Sequence, residues 1–212
     1  MGATKGLDGG GPLRALAALA REWDVPCDDR QAEMLLHYAG LLLTWNERIN
    51  LTGAHAVDEL LADHFPDSFA LAARLDRSAR AIDVGSGGGL PAIPLAILRP
   101  ELTLVLCEPL AKKGAFLRTA IRELALGAHV RLEARRAEDL AAEVPTSFDL
   151  AFSRATLAPD RWVALGRRLI RPQGRIFVLT TPETSLDGLG DAAVHTRIYA
   201  NGRRALLEVV LR

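Results

Sequence analysis

The sequence predicts an α/β protein with a mostly parallel sheet and an antiparallel hairpin at its end. From about residue 81, short apolar β-prone runs alternate with segments whose apolar residues recur at helical spacing. The chain then closes with two strand-like segments, 193–200 and 203–211, joined by Asn201 and Gly202. This pair favours a type I′ hairpin turn, because both central residues of that turn take positive φ.

Composition places few constraints on function. Of the 212 residues, 49% are hydrophobic and 25% charged, and the formal net charge is zero. A neutral chain has no overall attraction to nucleic acid, so RNA binding would need local basic patches. Cys27 and Cys107 form no metal-binding spacing with the histidines, and no apolar run would span a bilayer. We therefore expect a cytoplasmic protein without a metal or a membrane partner, and we expect a monomer.

The chain divides into three predicted parts. Residues 1–11 are glycine-rich and lack hydrophobic periodicity, which is typical of a disordered leader. Residues 12–75 are predicted to form an N-terminal helical cap, and residues 76–212 are predicted to form the ligand-binding domain.

Helices of the cap are indicated by their start signals. Pro12 suits the first turn of one helix, Asp28 and Asp29 offer an N-cap for a second, and Pro66 restarts a third helical region that covers 57–75. His64 and Asp67 lie beside this restart. We interpret them as capping and packing residues, and a catalytic pair is the alternative.

The ligand-binding domain begins with a strand that ends near Asp83, and the elements after it alternate. The predicted helices cover 92–98, 110–124 and 162–170, and the predicted strands cover 102–107, 130–134, 148–153 and 175–180.

Glycines follow the first predicted strand at residues 85 and 87–89. Such a loop between a strand and a helix is typical of nucleotide sites, because glycine permits unusual backbone angles and close approach of the ligand. A dinucleotide fingerprint would need a glycine at the sixth position from Gly85, which is Leu90. The loop, including Gly87, therefore favours S-adenosylmethionine, which has no pyrophosphate.

Acidic residues follow the strands at the same predicted edge of the sheet. Asp83 suits the ammonium group of such a ligand, and Glu108 suits its ribose hydroxyls. Ala137 and Glu138 follow the third strand, at the position where the adenine ring of the ligand would lie. From its position alone, Glu138 is equally well explained as a favourable partner of a helix dipole.

Five motifs occur in order within residues 45–179, the stretch over which the similarity runs. They are Asn-x-x-Ile-Asn-Leu-Thr-Gly from Asn46, His-x-x-Asp-Ser from His64, Asp-Val-Gly-Ser-Gly-Gly-Gly-Leu-Pro from Asp83, Lys-Lys-x-x-Phe-Leu from Lys112, and Ser-Arg-Ala from Ser153. Together they resemble the ribosomal RNA small-subunit methyltransferase G family (RsmG, also called GidB).

This resemblance implies a Rossmann-like class I methyltransferase sheet. It also implies methyl transfer from S-adenosylmethionine to N7 of a guanosine in 16S ribosomal RNA of the small ribosomal subunit. The cofactor contacts that it implies by position are Gly85, Leu90, Ala137, Glu138 and Arg154, with Glu108 at the ribose.

Arg154 is the residue that we expect to be catalytic. Guanine N7 carries no proton, so its methylation needs no general base. Arg154 could hold the cofactor loop, contact guanine O6 or bind a phosphate. A purely structural ion pair is the alternative. We predict that Arg154→Ala reduces methylation much more than folding stability.

Two segments depart from the family pattern. Thr180 and Thr181 stand where the family commonly has Lys-Gly, and Thr156 opens a segment that differs from the usual continuation. Two alternatives therefore stay open. One is a class I methyltransferase acting on another RNA, a small molecule or a protein, and the other is a non-catalytic module that binds the cofactor or RNA.

Overall fold

The computed structural model describes residues 10–75, 78–186 and 192–211. In this part of the chain the helices are α1 (Gly10–Trp23), α2 (Asp29–Asn46), α3 (Val57–Asp63), α4 (Phe65–Ala72), α5 (Ala92–Leu98), α6 (Ala111–Glu123), α7 (Ala137–Glu143) and α8 (Pro159–Leu169). The strands are β1 (Arg80–Val84), β2 (Thr103–Cys107), β3 (Val130–Glu133), β4 (Phe148–Arg154), β5 (Ile170–Thr180), β6 (Ala193–Tyr199) and β7 (Arg204–Val210).

These strands form one sheet in the order β3-β2-β1-β4-β5-β7-β6. The pairs among β1 to β5 are parallel, whereas β7 pairs antiparallel with both β5 and β6. The predicted parallel sheet with a terminal hairpin is confirmed. The carboxyl ends of β1, β2 and β4 lie side by side at one edge, which is where ligands bind in such sheets.

Neighbouring residues of a strand point to opposite faces of the sheet. Ala81 packs in a core with residues of α1, α2 and α4–α6, whereas Ile82 packs in a second core with residues of α7 and α8. The N-terminal helices therefore share one face of the sheet with α5 and α6, directly beside the glycine loop.

The predicted starts of the second helix and of the helix at Pro66 are confirmed. Asp28 and Gln31 form a reciprocal capping box at the start of α2, with N···O distances of 2.7 and 3.0 Å. Between α3 and α4 the helix is interrupted at His64, and Pro66 lies in the first turn of α4.

Some predicted boundaries differ from the structure. Gly10 and Gly11 are the first residues of α1 instead of the end of a leader, and residues 1–9 lie outside the described part. The domain boundary at 75/76 adjoins residues 76 and 77, which also lie outside it. β5 starts at Ile170, earlier than predicted, because Ile170 pairs with Phe148 before the register shifts.

Two features are absent from the described residues. None of their helices is both long enough and apolar enough to cross a membrane. Their histidine, cysteine and acidic side chains also include no cluster of three that could hold a metal ion.

Candidate active site

A cavity of about 460 Å³ opens where the loops after β1, β2 and β4 meet. Of the predicted site residues it is lined by Gly85, Gly87, Leu90, Glu108 and Arg154. Topology brings them together, because β1 lies between β2 and β4 and runs parallel to both. Leu51, from the link that follows α2, also lines the cavity.

The glycine loop has the backbone that the sequence predicts. Gly85, Gly87 and Gly89 all have positive φ, at 75°, 56° and 80°. The N–H of Gly85 donates to the Cys107 carbonyl at 2.9 Å, which ties the loop to the end of β2. A Cβ on Gly85 would lie only 2.3 Å from Thr156 Oγ1, so this position requires glycine for space as well as for backbone angle.

The helical cap fixes the other side of the loop. The buried hydroxyl of Tyr38 on α2 donates to the Gly88 carbonyl at 2.6 Å. A Cβ on Gly88 would lie 3.0 Å from Leu42 Cδ1 and 3.1 Å from the Leu51 carbonyl oxygen. Sequence reasoning missed Tyr38, whose only signal was a hydroxyl on the otherwise apolar face of α2.

Glu108 joins two of the loops at the cavity wall. Its Oε2 accepts from the Gly87 N–H and its Oε1 accepts from the Leu110 N–H, both at 2.9 Å. Only 4% of the residue is exposed. Each carboxylate oxygen can accept a second hydrogen bond, so Glu108 is oriented by the backbone and still able to bind hydroxyl groups of a ligand.

Asp83 lies buried beneath the loop. Its Oδ2 has no hydrogen-bond partner among the described residues. Burial raises the pKa of Asp83 to about 7 and nearby Glu108 also raises it, whereas a hydrogen bond from Ser86 and the charge of Arg154 lower it. A buried acceptor without a donor is unusual, and a positively charged ligand group or a water molecule would satisfy it.

Arg154 extends from the end of β4 into a buried polar cluster at the cap. Its Nη1 lies 2.7 Å from His64 Nδ1 and 3.2 Å from Asp67 Oδ2. Asp67 is fully buried, and its Oδ1 accepts from the Tyr199 hydroxyl at 2.6 Å. The guanidinium therefore neutralises a buried carboxylate and also lines the cavity.

His64 takes part in this cluster as a neutral ring. Burial, followed by the charges of Arg154 and Arg204, lowers the pKa of His64 to about 4. Arginine only donates, so Nδ1 accepts from Arg154 and the proton resides on Nε2, which lies 3.3 Å from Thr52 Oγ1. A neutral histidine between two partners holds the guanidinium in place without repelling it.

The capping interpretation of His64 and Asp67 is wrong, because neither side chain caps a helix. Both are packed as predicted, but their partner is Arg154, which lies 90 and 87 residues away in the sequence. Local sequence patterns carry no information about a contact over such a separation.

Ala137 and Glu138 begin α7, after β3. Ala137 is buried in the core on the far face of the sheet, and Glu138 is exposed. Neither is among the described residues that line the cavity. Their assignment to a cofactor stays a prediction.

Thr180, at the position of the family lysine, has its hydroxyl 2.6 Å from that of Thr184.

Solved structures of other proteins have a similar fold. A SAM-dependent methyltransferase from Aquifex aeolicus has a TM-score of 0.57 at 12% identity, over 72% of this chain and 93% of that chain. The predicted Rossmann-like methyltransferase fold is confirmed.

Sequence comparisons are more specific. A family model described as rRNA small subunit methyltransferase G (GidB) matches residues 31–192. The curated ribosomal RNA small subunit methyltransferase G of Anaeromyxobacter dehalogenans is 39% identical over 178 residues, which are 82% of this chain and 81% of the relative. Its counterpart from another Anaeromyxobacter is 38% identical over 198 residues, or 93% of this chain and 85% of the relative. The chain therefore belongs to the rRNA small subunit methyltransferase G family.

Proposed function

We propose that this protein transfers a methyl group from S-adenosylmethionine to N7 of a guanosine in 16S ribosomal RNA. Family membership supports a methyltransferase of ribosomal RNA. The observation that carries the proposal at the site is an open glycine loop with a partnerless buried carboxylate oxygen below it and an arginine on the cavity wall.

The residues present fit the cofactor. Asp83 offers an unpaired acceptor for a cationic group, and Glu108 offers oriented acceptors for ribose hydroxyls. Gly87 leaves space beside the backbone, since the atom nearest to a Cβ there would be 3.8 Å away. We assign Ala137 and Glu138 to the adenine side. When bound, S-adenosylmethionine supplies the methyl group on a positively charged sulfur.

The protein has to align guanine N7 with the methyl group and the sulfur of the cofactor, and it does not have to transfer a proton. Guanine N7 is an in-plane lone pair without a proton, so the site needs no base. His64 would be a poor base in any case, because its pKa is lowered to about 4 and its Nδ1 faces Arg154. Holding two reactants in reactive geometry is worth roughly 7–11 kcal/mol.

Arg154 is suited to orient the acceptor base. Its Nη1 is engaged by His64 and Asp67, and other N–H donors of the guanidinium remain. Guanine O6 is a hydrogen-bond acceptor next to N7. We assign the remaining donors of Arg154 to O6, because a donor placed on N7 itself would occupy the lone pair that accepts the methyl group.

The test is methyl transfer from labelled S-adenosylmethionine to ribosomal RNA that lacks the modification. Small subunits, free 16S RNA and large subunits are offered separately, and the labelled nucleotide is mapped. We expect label in a guanosine of 16S RNA and none in large subunits. Transfer only to other acceptors, or cofactor binding without transfer, would contradict the proposal.

The pKa of Asp83 predicts a pH dependence of cofactor binding. Because the pKa of Asp83 is raised to about 7, the carboxylate that would bind a cation is lost as the pH falls below that value. We expect affinity to fall about tenfold per pH unit below 7. Calorimetric titration at several pH values on either side of this pKa measures the slope, and Asp83→Asn should abolish it. An equal slope in the variant would remove Asp83 from the cofactor site.

The raised pKa of Asp83 also makes folding stability depend on pH. Its effect is opposite to that on cofactor binding, because stability falls as the pH rises. The folded pKa lies above the ordinary value of 3.8, so the folded protein binds the proton more tightly than the unfolded chain. The stability linked to this proton is fully present below about pH 4 and is lost as the pH rises toward 7. Without ligand, Asp83→Asn should flatten that part of the stability profile.

A further inference from the structure

A second cavity of about 390 Å³ adjoins the candidate active site. It lies between the link that follows α2 and the start of α6, and it is lined by Arg48, Ile49, Asn50, Leu110, Ala111, Lys112 and Lys113. Leu110 and Lys113 line both cavities, so the two cavities share a wall. A ligand chain that leaves the active site on this side meets the second cavity next.

The second cavity carries three cationic side chains. Within the described part of the chain, the side chains of Arg48, Lys112 and Lys113 form no ion pair or hydrogen bond. Arginines elsewhere, such as Arg99 and Arg135, are paired with carboxylates. Glu108, the acid nearest in sequence to this part of α6, accepts from two backbone N–H groups and pairs with none of the three cations. The cavity therefore carries three cationic side chains that no carboxylate of the described residues pairs with.

Its wall also includes an exposed apolar side chain. Leu110 is 56% exposed, among the most exposed of the large hydrophobic residues that the structure describes, and partly buried Ile49 lines the same cavity. Cationic side chains that only keep a protein surface hydrated need no apolar neighbour. Cations beside an apolar surface match a nucleotide, which combines a charged phosphate with flat base faces.

We propose that this second cavity binds the nucleotide next to the target guanosine in single-stranded RNA. Arg48 and Lys112 contact its flanking phosphates, and Leu110 and Ile49 contact its base. N7 lies in the deep groove of A-form RNA, so the target must be in an opened segment whose neighbouring nucleotide lies close to the site. The inference rests on the proposed function and adds the path of the RNA.

The double variant Arg48→Ala, Lys112→Ala tests this path. Both residues are exposed and neither side chain has a partner in the described chain, so folding should not change. We expect the KM for small subunits to rise about tenfold and the slope of log KM against log salt to fall by about 2, one for each phosphate that the variant no longer binds. The kcat and the affinity for S-adenosylmethionine should be unchanged.

The matched control is Arg14→Ala, Arg21→Ala, which removes two exposed cations from α1. It should leave KM and its salt slope at wild-type values. Failure of the proposed function would appear as absence of RNA methylation by the wild-type protein. If the wild type methylates 16S RNA and the double variant keeps its KM and salt slope, only the present inference is overturned. Loss of S-adenosylmethionine binding in the variant would overturn it too, by assigning the cavity to the cofactor.

Discussion

Replacing Arg154 by alanine is expected to reduce methyl transfer at least about a hundredfold, because misplacing reactants even slightly has effects of that size. The structure adds a second consequence. Arg154 pairs at 3.2 Å with Asp67, whose side chain is 1% exposed. Removing one partner of a buried pair costs about 3–5 kcal/mol. The prediction from sequence that this variant reduces methylation much more than folding stability therefore has to be revised.

A double variant separates the two effects. Arg154→Met with Asp67→Asn removes both charges, and the carbonyl oxygen of the new amide side chain can still accept from the Tyr199 hydroxyl. Urea denaturation should show most of the lost stability restored, whereas methyl transfer should stay as low as in Arg154→Ala. Recovery of transfer in the double variant would mean that Arg154 only balances Asp67. Wild-type turnover in Arg154→Ala would remove Arg154 from the site.

Replacing Gly85 by alanine is expected to lower the affinity for S-adenosylmethionine by a factor on the order of a hundred or more. The new Cβ would lie 2.3–2.9 Å from three atoms of Thr156, so the loop or the segment after β4 must move. The positive φ of 75° adds about 1–2 kcal/mol of backbone cost. Calorimetric titration measures the affinity, and denaturation measures the stability.

Gly87→Ala and Gly40→Ala are the matched comparisons. Gly87 lines the cavity with a φ of 56° but has space for a methyl group, so this variant should fold with a cost of about 1–2 kcal/mol and bind the cofactor weakly. Gly40 lies within α2 with nothing within 4 Å, so alanine there should stabilise the protein by about 1 kcal/mol and leave binding intact. Equal binding by all three variants would contradict the assignment of the loop to the cofactor.

The sequence predicted those features that local patterns encode. Strand, loop and helix signals around Asp83 placed the cavity, and the Asn201-Gly202 turn placed the antiparallel end of the sheet. Glu108 was found from its position after β2. In each case the informative residues lie within one strand–loop–helix unit or one hairpin.

What the sequence did not predict depends on contacts between distant segments. Tyr38 reaches Gly88 across 50 residues, and Asp67 meets Tyr199 across 132 residues. Such pairs are selected by how the cap packs on the sheet, and no spacing rule describes that packing. For the same reason the sequence singled out Arg154 without its buried partners, and Lys112 without the neighbouring Arg48.

Transfer to guanine N7 gives a product whose chemistry shows which atom carries the methyl group. Methylation at N7 places a positive charge on the imidazole ring, which makes that nucleotide susceptible to borohydride reduction and aniline-induced strand scission. After reaction of small subunits with the protein, we predict scission at one guanosine of 16S RNA and 7-methylguanosine in the digested nucleosides, and neither product with the Arg154→Met, Asp67→Asn variant. Incorporated methyl groups on RNA that resists scission, with the label on another nitrogen, on ribose or on another base, would contradict methyl transfer to guanine N7.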